Sequence, residues 1–394
     1  MQLRREVVDE LTHVGSTGEG RQVATDAEET TRGGQHDDPS LVGARTTYGA
    51  TQLVNRRWVE RVAALGVDQR YACGVIGEGV VHEAHAGHTA TGRPHGPRDA
   101  AGRLAPILMR MPPTDLHELL ALEQVAPRTF RGQTKPPPAR RSYGGEVAAQ
   151  AICAAGGTVP DDRSLHSAHM SFLLPGDTTL PIDFEVEDVR DGGSFSARRV
   201  EARQGDRAIF AMSASYQAPA AGPEHQPELH DGPAPLDSSA PGELFAADPV
   251  NRAWADHLAD FLDVELRFPY PPVRVPAMRG VAVPARQQVW ARTRQGIGSE
   301  AVLRDAGVAY LSDMLLLATA LGPHRLTLQD ERIAFATINH TIWFHAPLRV
   351  DEWFRYDQES RWAGRGRALC HGEMYDEAGQ LCATTMQEGL VRYR

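Results

Sequence analysis

Three residues in the second half of the chain have the types and spacing expected of a site that activates water. Asp313 is the only charged residue between Ala306 and Gly322, in a stretch that is otherwise almost wholly apolar. A carboxylate buried in such a stretch costs several kcal/mol unless it is paired, so its presence indicates a site. Thr337 and Gln387 follow on predicted strands. A carboxylate can take a proton from water while a hydroxyl and an amide hold that water for attack.

The elements that must position these residues can be predicted from hydrophobic periodicity. The stretch from Ala306 to Gly322 predicts a helix that is buried nearly all round, with Asp313 in its middle. Short strands separated by turn signals surround it in sequence, and Thr337 and Gln387 belong to two of them. A long helix wrapped by an antiparallel sheet packs its inner face on the strands, so the three side chains are expected to converge.

The same order of elements occurs earlier in the chain. Residues 143–155 (YGGEVAAQAICAA) predict a helix that ends at Gly156 and Gly157. Four short strands follow it, and the last of them alternates apolar and polar residues up to Tyr216. The two halves therefore predict one fold that is repeated.

The repeat also gives a register between the halves. A shift of 172 residues, from Pro175 to Pro347, aligns the strands without a gap. The aligned positions are Leu165 with Thr337, Ser215 with Gln387 and, with the helices aligned on Gly144 and Gly307, Gln150 with Asp313. Only the second half therefore has the polar set.

Several motifs occur in order along the last three quarters of the chain. They are FRGQ (130–133), YGGEV (143–147), HSAHMSFLLPGD (166–177), VRDGGSFSARRV (189–200), SYQAP (215–219), AYLSD (309–313), ATINHTIWFH (336–345) and MQEG (386–389). Together they resemble the acyl-CoA thioesterase II family. One departure is Asn339, where that family often has aspartate.

The resemblance implies an α+β fold of two tandem hot-dog domains, each an antiparallel sheet wrapped around a long central helix. It implies hydrolysis of fatty acyl-CoA to free fatty acid and coenzyme A, within fatty acid metabolism. Asp313, Thr337 and Gln387 match the family residues that orient the attacking water. No cofactor and no metal ion is expected. The protein is expected to form a homo-oligomer, either a dimer or a tetramer.

Domain boundaries follow from composition. Residues 1–108 are expected to be a disordered extension or the product of an over-long gene prediction, since Met109 and Met111 stand just before the first convincing helix. Residues 109–217 are expected to form the first domain, 218–243 a linker and 244–394 the second domain. His82, His85 and His88 are three residues apart, but Gly87 and polar surroundings disfavour the helix that a metal site there would need.

Composition excludes some classes of protein. A net charge of -10 argues against a nucleic-acid partner, which needs a concentrated basic face. The four cysteines are far apart and are expected to be reduced thiols. No signal-peptide stretch and no membrane-spanning run is evident, so a cytoplasmic protein without membrane insertion is expected.

Other residues and functions stay open at this stage. His340 and His345 are expected to be packed or hydrogen-bonded, and His166 and His169 to be structural. The pairs Arg198–Arg199 and Arg140–Arg141 are candidates for phosphate contacts, without an assignment. An enoyl-thioester hydratase, which pairs an Asp with a His such as His340, is one alternative. A non-catalytic acyl-CoA binding protein is another, whereas an α/β-hydrolase is excluded because the chain has no GxSxG motif.

Overall fold

The computed structural model describes residues 115–134, 141–229 and 232–394. The expectations for residues 1–108, including the histidine spacing at 82–88, lie outside the described residues, as do Met109, Met111 and Arg140.

The described residues form six α-helices and twelve strands. The helices are α1 (Leu116–Leu120), α2 (Gly144–Gly156), α3 (Pro241–Leu244), α4 (Pro249–Leu262), α5 (Arg274–Met278) and α6 (Ala301–Ser312), with 3-10 turns at Pro235–Asp237 and Leu317–His324. The strands of the first half are β1 (Glu123–Ala126), β2 (Thr129–Gly132), β3 (Ser164–Phe172), β4 (Ile182–Asp191), β5 (Phe195–Gln204) and β6 (Arg207–Gln217). Those of the second half are β7 (Val264–Arg267), β8 (Arg286–Thr293), β9 (Ile333–Phe344), β10 (Phe354–Gly364), β11 (Arg367–Asp376) and β12 (Leu381–Tyr393).

All twelve strands belong to one antiparallel sheet in the order β1-β2-β4-β5-β6-β3-β9-β12-β11-β10-β8-β7. Each half supplies six neighbouring strands, and the halves meet where β3 pairs with β9. His169 opposes Thr341 in this pairing, and the two are 172 residues apart. An approximate two-fold axis therefore passes through the middle of the junction, and the predicted repeat of one α+β unit is confirmed.

Helices α2 and α6 pack directly on each other inside the curved sheet, because small residues line their contact. A Cβ added at Gly145 would lie 2.2 Å from the carbonyl oxygen of Tyr310, and one at Gly156 would lie 2.5 Å from a methyl group of Val302. The side chains of α2 are almost all buried, since the helix is surrounded by the sheet and by α6. This close approach brings the start of α2 to the end of α6.

The predicted helix around Asp313 differs from the observed one. Helix α6 ends at Ser312, and Asp313 is its C-cap rather than a mid-helix residue. Side chains of β10 stabilise this break, because they donate hydrogen bonds to the carbonyl groups that have lost their helical partners. Tyr356 donates to the Ser312 carbonyl at 2.6 Å, and Gln358 donates to the Met314 carbonyl at 2.7 Å.

The predicted register of the last strand is also wrong by one residue. Tyr216 opposes Leu165 in the first half, and Gly389 opposes Thr337 in the second. Leu165 and Thr337 are 172 residues apart, as predicted, but Tyr216 and Gly389 are 173 apart. The last strand of the second half is therefore displaced by one position.

The displacement changes the counterpart of Gln387, which aligns with Ala214 and not with Ser215. Its cause is the hairpin before β12. Five residues separate the opposing residues Tyr375 and Leu381 in that hairpin, whereas four separate the equivalent pair Arg203 and Ala208 before β6.

The segment from Ala301 to His324 is long and apolar enough, by composition alone, to cross a membrane. Most of it is buried inside the fold, and the break after Ser312 divides it into α6 and a 3-10 turn. A buried core helix of a globular protein can be equally long and apolar. Because most of this segment is buried, it forms part of the core here.

Candidate active site

The structure brings Asp313, Thr337 and Gln387 together, as the sequence predicts. The Gln387 side-chain amide donates to Asp313 Oδ1 at 2.5 Å and to Thr337 Oγ1 at 3.1 Å. Both amide hydrogens are thus used, and Gln387 is fully buried. Asp313 and Thr337 are half-buried.

An irregularity in the sheet aims Thr337 at the other two residues. His340 opposes Gln387 and therefore shares its face of the sheet. Thr337 lies three residues before His340 and would face the opposite side in a regular strand. The ladder shifts between Glu388 and Gly389, so that Thr337 opposes Gly389 on the face that carries Gln387.

The first half contributes a backbone group to the same site. The Gly145 N–H, in the first turn of α2, donates to Asp313 Oδ2 at 3.2 Å. A helix N-terminus stabilises a negative charge, so α2 favours the ionised carboxylate. A Cβ added at Gly144 would lie 2.7 Å from Asp313 Oδ2, which leaves glycine as the residue that fits there. Sequence reasoning missed this contribution, although the YGGEV motif contains both glycines.

Burial raises the pKa of Asp313 from the ordinary value of an aspartate. Hydrogen bonds from Gln387, from the Gly145 N–H and from Thr337, in decreasing order, lower that pKa in part. The balance suits a general base, because a carboxylate with a raised pKa is a stronger proton acceptor.

A buried histidine lies beside the cluster. His340 Nε2 is 2.8 Å from the Ser312 hydroxyl, and that hydroxyl donates to the Ala309 carbonyl at 2.9 Å. The Ser312 oxygen therefore accepts from Nε2–H, which fixes the tautomer. Burial lowers the pKa of His340 to about 4, so the ring is neutral near pH 7. His340 thus packs under the site and is hydrogen-bonded, as predicted.

Asn339, the departure from the family pattern, faces away from the cluster. It opposes Glu388, whose neighbour in sequence is Gln387, so the two lie on the outer face. The Asn339 amide donates to Glu388 at 3.2 Å, and its oxygen accepts from Ser171 of the first half at 3.1 Å. An aspartate here would oppose Glu388 with like charge, so the amide fits this surrounding.

The arginines considered for phosphate contacts have other partners. Arg198 is buried and pairs with Asp188 at 3.0 Å and with Asp191 at 2.9 Å. Arg199 pairs with Glu187 at 2.8 Å on the surface. Within the described residues, Arg198 and Arg199 therefore form ion pairs that join neighbouring parts of the first half of the sheet.

The other strand histidines have hydrogen-bond partners too. His166 Nε2 is 2.8 Å from the Ser215 hydroxyl, and His345 Nε2 is 2.9 Å from the Thr384 hydroxyl. His169 stacks edge-on against the ring of Trp343 at the junction of the halves. None of these histidines has a hydrogen bond to the cluster at Asp313 among those described.

Metal binding has no support from the described side chains. Within residues 115–134, 141–229 and 232–394, no group of three or more His, Cys, Asp or Glu residues is placed to hold a metal ion. Cys153, Cys370 and Cys382 are free thiols.

Known families match both halves of the chain. Residues 263–390 match the family model described as acyl-CoA thioesterase, and residues 134–217 match the acyl-CoA thioesterase N-terminal domain. Acyl-CoA thioesterase 2 of Haemophilus influenzae is 35% identical over 285 residues, which cover 71% of this chain and 97% of the relative. The chain belongs to the acyl-CoA thioesterase family. Acyl-coenzyme A thioesterase 8 of Homo sapiens is also 35% identical, over 295 residues that cover 72% of this chain and 92% of the relative.

Solved structures agree with this family and its fold. The acyl-CoA thioesterase II TesB2 of Mycobacterium marinum is 36% identical, with a TM-score of 0.58 over 71% of this chain and 97% of that one. A protein of unknown function with a hot-dog fold from Alicyclobacillus acidocaldarius has a TM-score of 0.57 at 18% identity, over 71% and 98% of the two chains. The expected tandem hot-dog fold is therefore confirmed.

Proposed function

We propose that this protein is an acyl-CoA thioesterase that hydrolyses fatty acyl-CoA to a free fatty acid and coenzyme A. The observation that carries the proposal is the hydrogen-bonded cluster of Asp313, Gln387 and Thr337, in a chain of the acyl-CoA thioesterase family. The cluster has the groups for hydrolysis, and Asp313 and Thr337 are half-buried whereas Gln387 is fully buried.

In the proposed reaction, water attacks the thioester carbonyl directly and Asp313 takes its proton. Gln387 fixes the carboxylate, because its amide donates to Asp313 Oδ1. Thr337 accepts from the same amide, and its hydroxyl donates to Asp313, so Thr337 helps to hold the carboxylate in position beside the water. The oxyanion needs a donor, and we assign that role to a backbone N–H in the first turn of α2 other than that of Gly145, which is bound to Asp313.

The hydratase alternative requires a histidine that acts together with Asp313. His340 is near in the sheet, but its Nε2–H is engaged by Ser312 and burial keeps the ring neutral. Its Nδ1 is buried without a hydrogen-bond partner among the described residues. This arrangement favours hydrolysis over hydration, because the ring has no exposed nitrogen to exchange a proton with substrate.

The proposal is tested by thiol release from acyl-CoAs of graded chain length, with wild type, Asp313→Asn and Gln387→Ala compared. Release by wild type that collapses in both variants supports the hydrolase and this site. Hydration of enoyl-CoA without thiol release would instead support the hydratase. Binding of acyl-CoA without either reaction would support the non-catalytic binding protein.

The homo-oligomer and the cytoplasmic location stay predictions. Sedimentation of the purified protein measures the first, since a dimer or a tetramer has a mass two or four times the 43.0 kDa of the chain. Fractionation of the source cells measures the second.

A further inference from the structure

The backbone next to Asp313 adopts an unfavourable conformation. Leu315, two residues later, has a φ of 61°, in the left-handed region that a bulky side chain rarely adopts. The other described non-glycine residues with positive φ are Asp263, Arg325 and Arg365, which lie at helix ends or in a hairpin turn, where that region is common. Leu315 is instead buried in the core between α6 and the 3-10 turn. Strain at such a place is held by its surroundings and indicates a functional role.

Two side chains of β10 hold the carbonyl groups on either side of Asp313. The Tyr356 hydroxyl donates to the Ser312 carbonyl at 2.6 Å, and the Gln358 amide donates to the Met314 carbonyl at 2.7 Å. Both side chains are buried, so water does not compete for these hydrogen bonds. The peptide groups before and after the carboxylate are therefore fixed in place.

Other side chains fix these two donors. Gln287 of β8 donates to the Gln358 side-chain oxygen at 2.8 Å, which determines the end of the Gln358 amide that faces Met314. The Thr385 hydroxyl of β12 lies 3.0 Å from the Tyr356 hydroxyl. Three strands thus contribute to one polar network under the break, and its members restrict one another.

The first half has no such network, although its strands keep the same register. Three apolar residues occupy the positions of the polar ones, namely Phe184 for Tyr356, Val186 for Gln358 and Met212 for Thr385. None of these three side chains can donate a hydrogen bond to a carbonyl group. The helix that β4 contacts, α2, runs without a break from Gly144 to Gly156 and through Gln150, the counterpart of Asp313. The donors therefore occur in the half whose helix is broken at the carboxylate.

We propose that Tyr356 and Gln358 are positioning residues for Asp313, which fix the end of α6 so that the carboxylate stays within reach of the Gln387 amide and the Gly145 N–H. The inference rests on the thioesterase function proposed above. Neither residue has a hydrogen bond to the carboxylate among those described, so both act through the main chain on either side of it. A displacement of about 1 Å in a reacting group is enough to lower the rate strongly.

The surroundings of Asp313 make the pH profile a specific measure of its position. Tyr143, at the start of α2, and Tyr356 face the carboxylate, and burial together with its charge raises the pKa of both phenols. Both stay neutral near pH 7, as does His340 of β9, whose pKa burial lowers to about 4. The groups that lower the pKa of Asp313 itself are uncharged donors, which depend on close contact.

The first test is thiol release by Tyr356→Phe, which removes the donor and keeps the ring. Positioning predicts a fall of roughly 10- to 100-fold in kcat, with KM changed by less than about twofold. It also predicts that the acid limb of kcat/KM moves to higher pH, because the hydrogen bonds from Gln387 and Gly145 that lower the pKa of Asp313 are weakened. If the bond served only the stability of the fold, the melting temperature would fall while kcat and the acid limb stayed in place.

A second variant and a control accompany this test. Gln358→Met removes the other donor with little change of volume and is expected to act in the same direction, also where Tyr356→Phe fails to fold. Val200→Ala is the control, because it deletes a buried apolar contact beside Val186 in the first half without removing a hydrogen bond. It should lower the melting temperature and leave kcat and the acid limb unchanged. An equal loss of kcat in all three variants would overturn the inference.

A double variant shows whether the effect passes through Asp313. In Asp313→Asn the carboxylate is absent, so adding Tyr356→Phe is expected to lower the remaining kcat by less than about twofold. A further fall as large as the one in the wild-type background would mean that Tyr356 acts independently of the carboxylate, which contradicts the proposal.

The remaining outcomes separate this inference from the proposed function. Thiol release with an unchanged kcat and acid limb in both Tyr356→Phe and Gln358→Met overturns the inference and leaves the thioesterase function standing. No thiol release by the folded wild-type protein overturns the thioesterase function, and the role of the network in catalysis with it.

Discussion

The two halves of the sheet share strand order and strand irregularities but differ in what they present to the helices. At the bulge of β9 the second half presents Thr337, and at the matching bulge of β3 the first half presents Leu165. The position of Gln387 is occupied by Ala214 in the first half. The polar groups that activate water therefore occur once, on one of two equivalent scaffolds.

The half without the polar set is nevertheless part of the site. It supplies the Gly145 N–H and the N-terminus of α2, whereas the second half supplies the three side chains. The polar side chains of the site thus come from the second copy of the fold, and its backbone donor comes from the first. The predictions below test that division.

The largest effect is expected from removing the carboxylate of the second half. Asp313→Asn keeps the shape of the side chain but removes the base, so kcat for acyl-CoA should fall on the order of 10² to 10⁴. Thiol release measures it. Asp305→Asn is the matched control, since this carboxyl group also lies on α6 but has no contact with the cluster among those described. A fall of less than tenfold in the Asp313 variant would contradict its role as the base.

The contribution of the first half is tested by Gly145→Ala. The new methyl group would lie 2.2 Å from the Tyr310 carbonyl oxygen, so α2 and α6 must separate. We expect a loss of about 2 to 4 kcal/mol in the free energy of unfolding and a fall in kcat, because the N–H moves away from Asp313. Thermal unfolding and thiol release measure the two effects. Gly193→Ala is the control, since a Cβ there meets nothing within 4 Å.

The hydrogen bonds to Asp313 are tested by the pH dependence of kcat/KM. Asp313 must be ionised to act, so activity falls as pH falls through its raised pKa. Gln387→Ala removes the hydrogen bond that lowers this pKa most, and should move the acid limb to higher pH. Thr337→Val should move it in the same direction by less. Ser215→Ala, in the first half, should leave the limb in place; an equal shift in all three variants would argue against these assignments.

The smallest effect concerns a second carboxyl group between the halves. Burial raises the pKa of Asp305 to about 7 from 3.8. Between these values the folded protein holds a proton that the unfolded chain has lost, so the free energy of unfolding falls as pH rises from about 4 to about 7. Asp305→Asn removes that fall and should be more stable above pH 7, on the order of 2 to 4 kcal/mol. Urea unfolding at pH 5 and pH 8 measures it, and equal curves for both proteins at pH 8 would contradict the buried charge.

The sequence predicted the repeat, the fold and the convergence of Asp313, Thr337 and Gln387, because hydrophobic periodicity and the family motifs both record them. It could not predict that α6 ends at Ser312. The residues that stabilise this break are Tyr356 and Gln358, more than forty positions later, and their contacts arise only from packing.

Two further features were missed for similar reasons. The displacement of β12 depends on one extra residue in a hairpin, which a gap-free alignment cannot detect. The hydrogen bond from the Gly145 N–H to Asp313 depends on the close packing of α2 and α6 at a glycine. The distance between two helices cannot be predicted from the sequence of either helix alone. Helix α4 was missed as well: it lies past the predicted linker of residues 218–243, and no helix was predicted between that linker and the strand near residue 290.

Separating the two halves, after a cut in the chain between β6 and β7, would turn the paired strands β3 and β9 into sheet edges. Each edge would expose a row of unpaired backbone N–H and C=O groups, which promotes aggregation. Severed halves would therefore be expected to reassociate or to precipitate rather than persist as soluble single domains. Because the two halves share this ladder, we expect them to unfold together as one cooperative unit.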